Sequence, residues 1–291
     1  MKTTLKLWTQ LGLGTALAGG MLAACGGEAG GEGGEGAKTE ATPFSVGEGG
    51  AAGGEGEGGT GEGEGGGAAA GGEGEGGVAV ADAAKDPVAY GIALAVTEAH
   101  VVAARDAYAA GKKDAAAEMF AHPAAEVLVE MDPVFAKLGV KDFKPLLTDA
   151  SVAASEGKSV AEVNAAYDKI IAALRGAAAK APASEASNAK VATGVITDMI
   201  ERASAMYRIA GKGSTYEPYL DGYGFARVAA SAFATSGGAI KADNAPLHAR
   251  ITEALALLKQ AYPGAARPAK LPVEAGALSG ASAKVMLAAG N

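Results

Sequence analysis

Ser159-Val160-Ala161-Glu162-Val163-Asn164-Ala165-Ala166-Tyr167-Asp168-Lys169-Ile170-Ile171-Ala172-Ala173-Leu174 reads as the opening of an amphipathic helix. Ser159 and Glu162 have the spacing of a capping box, in which each side chain satisfies a free backbone amide of the other residue's turn. Behind them Val163, Tyr167, Ile170, Ile171 and Leu174 fall on one apolar stripe. The same pattern recurs on both sides. Alanine dominates, aromatics are few and β-branched runs are short, all of which favours helix over strand.

Working outward, Asp86-Pro87 opens a helix to about Ala110, with proline at a tolerated first position. Gly111-Lys112-Lys113 is a turn, and Asp114 is expected to cap a helix to about Leu138, ended by Gly139. A shorter helix spans about Phe143 to Glu156. After the capping-box helix, which runs to about Ala179, either Ser184 or Ser187 starts a longer one that stops at Gly211-Lys212-Gly213. Pro218 to about Ala234 is a further helix, Asp243 is expected to cap the next as far as Tyr262-Pro263, and a short one lies near Ser282 to Ala289. The expected fold is all-α, an antiparallel bundle of about seven helices with short loops. The 214 residues from 78 to 291 suffice for one domain with a real core, and two smaller bundles are the alternative.

The first 77 residues follow different rules. Lys2 and Lys6, an apolar stretch from Leu11 to Leu22 and then Ala23-Ala24-Cys25 match a bacterial lipoprotein signal, with residues 1–24 removed and Cys25 acylated. The apolar segment is too short and too glycine-rich to span a bilayer. Gly26 stands where an aspartate often retains such proteins in the inner membrane, which favours an outer-membrane anchor facing the periplasm. Residues 25–77 are then a lipidated tether. It holds eleven glutamates against the single Lys38, and its Gly, Glu and Ala lack the apolar mass that offsets chain entropy, so disorder is expected. As a flexible coil it spans roughly 40 Å. Gly56-Glu57-Gly58-Gly59-Thr60-Gly61 matches the dinucleotide fingerprint in letters alone, because no strand precedes it and no helix follows.

Removing Lys2, Lys6, Lys38 and the eleven tether glutamates from 25 Lys+Arg and 33 Asp+Glu leaves 22 of each sign in residues 78–291. The helical part is formally neutral and carries no basic footprint for nucleic acid. One cysteine excludes a disulfide framework and a thiolate metal site. There is no Gly-x-Ser-x-Gly elbow, His-Glu-x-x-His pair or Walker loop, which argues against hydrolase and phosphotransferase chemistry. A binding protein is expected, not an enzyme.

Three histidines remain. His100 shares a stripe with Ile92, Val96 and Ala104 and should face the interior; His122 shares one with Glu118, Glu126 and Glu130 and directly precedes Pro123. Each lies about ten residues from the Gly111-Lys112 turn, roughly 15 Å along its helix, so an antiparallel hairpin places them level. Pro123 must kink or restart its helix there. Two imidazoles and the Glu126 carboxylate suit iron, copper or zinc; the bland alternative is a hydrogen-bonded core histidine beside a solvated acidic edge. His248 has no carboxylate at helical spacing and reads as structural. Tyr216-Glu217-Pro218-Tyr219-Leu220-Asp221-Gly222-Tyr223-Gly224-Phe225 is the second patch. Glu217 and Asp221 share a face and could complete an oxygen-rich shell, or merely complement a helix N-terminus, while the two glycines imply close packing.

The runs Glu98-Ala99-His100 and Ala121-His122-Pro123-Ala124-Ala125-Glu126, with the 216–225 patch, resemble an uncharacterised group of alphaproteobacterial helical periplasmic lipoproteins. They are also distantly similar to imelysin-type periplasmic iron-handling proteins, although the Gly-x-His-x-x-Glu pattern of that family is absent. The resemblance implies a helical envelope protein handling a metal ion, iron or copper, through His100, His122 and Glu126, with Glu217 and Asp221 as further ligands. The alternative is a metal-free helical scaffold that binds another envelope protein.

Overall fold

The computed structural model describes residues 80–290. The residues expected to form a signal segment and a tether, with Cys25 between them, lie outside the described residues. Within them every regular element is a helix: α1 (Val80–Ala83), α2 (Pro87–Ala109), α3 (Lys113–Pro123), α4 (Val129–Leu138), α5 (Lys144–Ser155), α6 (Val160–Ala178), α7 (Asn188–Ala210), α8 (Glu217–Asp243), α9 (Ala245–Ala261) and α10 (Ala275–Ala289). A single π-helical turn, Ala124–Leu128, joins α3 to α4.

Local signals explain most of these boundaries. The Ser159 box is formed in both directions, with the Ser159 hydroxyl accepting from the Glu162 amide and the Glu162 carboxylate accepting from the Ser159 amide at 2.9 Å. Asp86 caps α2 by accepting from the Val88 amide, and Ser187, not Ser184, caps α7. Gly111, Gly139 and Gly157 close α2, α4 and α5 at positive φ, which glycine adopts without a Cβ penalty.

Four boundaries depart from the sequence reading. Helix α3 begins at Lys113, so Asp114 lies inside the first turn and does not cap it. Asn244, not Asp243, caps α9, accepting from the Leu247 amide at 3.0 Å. Helix α8 continues past Ala234 to Asp243, because the Ser236 hydroxyl folds back on the Ala232 carbonyl, Gly237 packs on Phe233 and Ile240 anchors the last turn in the core. Helix α10 starts at Ala275, seven residues early, held by the buried Leu278 against α7 and α9.

Helix α2 is the axis of the core. It is long and apolar enough to cross a membrane, yet most of it is buried among α3, α6, α7 and α8. Its contacts with α6 run in opposite directions along the two chains: Tyr90 to Ala177, Glu98 to Arg175, Arg105 to Tyr167 and Tyr108 to Lys158. The pair is antiparallel. Tyrosine hydroxyls clip carbonyls elsewhere: Tyr207 and Tyr219 donate to the loop carbonyls of Val273 and Gly264, and Tyr262 donates to the Ala203 carbonyl within α7.

Two close approaches position α8. A Cβ on Gly224 would lie 2.3 Å from the Ala99 carbonyl oxygen of α2, and one on Gly222 would lie 1.9 Å from the Tyr262 hydroxyl. Only glycine permits either contact. The close packing expected of these residues is therefore present, and it brings Asp221 and Phe225 up to the middle of α2.

Candidate metal centre

His100 projects from α2 and is 2% exposed. Its Nδ1 lies 2.8 Å from the Val96 carbonyl oxygen. A carbonyl can only accept, so Nδ1 carries the proton and the lone pair resides on Nε2. Burial lowers the pKa of this imidazole to about 4, against the opposing bond to Val96 and with small contributions from nearby His122 and Arg202. His100 is thus neutral at physiological pH, with Nε2 free to donate its lone pair.

What Nε2 faces is a carboxylate. Asp221 Oδ1 of α8 lies 3.6 Å away, and Asp221 is as buried as the histidine. An imidazole nitrogen and a carboxylate oxygen are both donor types that iron, copper and zinc accept. The orienting Val96 bond is the kind of outer contact that holds metal-binding histidines in one tautomer.

His122 enters from α3. Its ring centroid is 6.3 Å from that of His100, with the planes inclined at 66°. Pro123 supplies no amide hydrogen for the preceding turn, and the chain widens immediately after it into the π turn that carries Glu126. One nitrogen from each imidazole and one oxygen of Glu126 all lie within 4.8 Å of one another. Glu217, in the first turn of α8, places Oε1 3.5 Å from His122 Nδ1. The structure thus brings His100, His122 and Glu126 into one cluster, with Asp221 beside His100 and Glu217 beside His122 at its edges.

The cluster is graded from inside to outside. His100 and Asp221 are sealed in the core, His122 is partly exposed, and Glu126 and Glu217 are exposed. Phe225 packs edge-on to His100 at 5.9 Å and forms an apolar wall, with the Arg202 guanidinium 5.9 Å from the Phe225 ring centre. Arg202, Phe225 as a wall and the Val96 carbonyl were not identified from sequence. Nothing in the spacing of α7 says that Arg202 turns toward α2 and α8.

The remaining sequence candidates lie elsewhere. His248 packs at 4.9 Å on Phe233, a core-edge role, and Glu118 and Glu130 are exposed. Compared with protein-family models, curated proteins and solved structures, the chain matches none.

Proposed function

We propose that this chain is a lipid-anchored cell-envelope protein that binds one metal ion, iron or copper, inside a helical bundle. His100, His122 and Glu126 supply the primary ligands, with Asp221 and Glu217 completing the shell. The reading rests on the convergence of the two imidazoles and Glu126 within 4.8 Å, with a neutral His100 whose free nitrogen faces a buried carboxylate. Nitrogen and oxygen donors without thiolate suit iron(II) or copper(II). The role proposed is holding an ion, not catalysis. The resemblance to imelysin-type iron-handling proteins points the same way.

Replacing His100 or His122 by alanine is expected to weaken metal binding more than about 100-fold, since even outer-shell partners of ligands cost 10–100-fold. Chelator competition with iron and copper measures it; unchanged affinity in both variants would remove the site assignment. Asp221→Asn should weaken binding while leaving His100 in place. The anchor has its own test. Cys25→Ser should move the protein from the membrane to the soluble fraction of the envelope, because acyl chains carry the attachment. Retention in the membrane would contradict it.

A further inference from the structure

We infer that Arg202 sets the oxidation state of the ion in the metal centre, favouring iron(II) over iron(III). The inference rests on the metal-binding reading above and adds to it a residue that cannot be a ligand, because a guanidinium offers N–H donors and no lone pair.

The donor set comes first. His100, His122 and Glu126 are two imidazoles and one carboxylate with ligand atoms within 4.8 Å of one another, a combination typical of non-haem iron(II) centres. The cost of taking an ion out of water rises with the square of its charge, so iron(III) needs more buried negative charge around it than iron(II) does. This centre has little to give. Asp221 is the one buried carboxylate of the cluster, while Glu126 and Glu217 are exposed and screened by water.

Arg202 acts against the higher charge. Its side chain is 17% exposed, and the guanidinium lies 5.9 Å from the centre of the Phe225 ring, which stands edge-on to His100 at the same 5.9 Å. Guanidinium and imidazole are therefore within about 12 Å of each other, and the ring flanking both is apolar. Asp198, one turn back along α7, accepts from Arg202 Nε at 2.7 Å, which fixes the side chain and offsets part of its charge. Of this pair, Arg202 is the member whose charge reaches His100, where it opposes a second proton on the imidazole. Nδ1 already carries one, so the opposed proton is the one on Nε2. An ion bound at Nε2 takes that place, and each further unit of charge on it meets the same repulsion. Across about 12 Å of protein one unit is worth roughly a tenfold change in an affinity ratio.

Redox titration of the iron-loaded full chain, followed by the electron paramagnetic resonance of high-spin iron(III), tests this, with dithionite supplying the one electron that converts iron(III) to iron(II). Arg202→Gln should shift the affinity ratio about tenfold toward iron(III), a fall of about 59 mV in the midpoint potential. Arg202→Lys keeps the charge and should hold the potential of the unaltered protein. Asp198→Asn removes the offsetting charge and should raise it. A potential unchanged in Arg202→Gln, or lowered as much in Arg202→Lys, overturns the inference. If Arg202→Gln does not fold, Asp198→Asn decides, a rise supporting the inference and an unchanged potential overturning it. An unaltered chain that takes up no iron overturns the metal-binding reading together with this one, whereas bound iron whose potential ignores Arg202 removes this one alone.

Discussion

Gly224→Ala should lower the stability of the bundle by about 3 kcal/mol, at the upper end of ordinary overpacking costs. The added methyl would lie 2.3 Å from the Ala99 carbonyl oxygen, and that oxygen belongs to the backbone of the central helix. Neither partner can step aside by a rotamer change, so α8 must move away from α2 as a unit. For a domain of this size the midpoint of thermal unfolding should fall by about 6–12 °C. Gly238→Ala is the matched control. It lies in the same helix, is exposed and meets nothing within 4 Å, so it should stabilise by up to about 1 kcal/mol through helix propensity and reduced chain entropy. Equal effects from the two substitutions would show that the contact between α8 and α2 is not as tight as described.

Loss of Glu98 should be at least as costly. The Arg175 guanidinium reaches across from α6 and donates to both oxygens of Glu98, at 2.7 and 2.5 Å, with both side chains largely buried. Glu98→Ala removes the partner and leaves a positive charge in the core, which costs about 3–5 kcal/mol when a buried pair is broken from one side. The double replacement Glu98→Leu with Arg175→Leu should recover most of that loss, since no charge is then buried and the apolar side chains fill the space. Denaturant unfolding of the three proteins measures the difference. A double variant as unstable as the single one would mean that the pair contributes chiefly through shape.

Local chemistry made the all-helical fold legible, and its limits appear at particular residues. Ser159 with Glu162, Asp86 with Pro87, and Gly139 each act within a few positions, and the structure follows them. Thr235-Ser236-Gly237-Gly238 looks like a helix end by the same local rules, yet α8 runs through it. What continues the helix is the burial of Ile240 in the core, which is a tertiary fact. The start of α10 at Ala275 has the same origin. Asp243 and Asn244 are equally good caps in principle, and the choice between them depends on how the two helices meet.

The candidate site was legible through arithmetic along a hairpin. Equal distances of His100 and His122 from one turn place them level in an antiparallel pair, and the rings do stand beside each other. Glu217 and Asp221 could be singled out as two carboxylates on one helical face, but nothing local says which of them would be buried beside His100 and which would stay at the rim beside His122. The Val96 bond that sets the tautomer is equally invisible before α2 is built. So is the π turn that carries Glu126, although Pro123 announces a disturbance at that place.

The most direct test is elemental analysis of the full chain purified from the cell envelope, beside the His100→Ala, His122→Ala double variant. About one iron or copper per chain in the unaltered protein, lost in the variant, is the predicted result. If both proteins are free of metal, and stay so after incubation with iron and with copper, the cluster holds no ion and the account of its function is wrong.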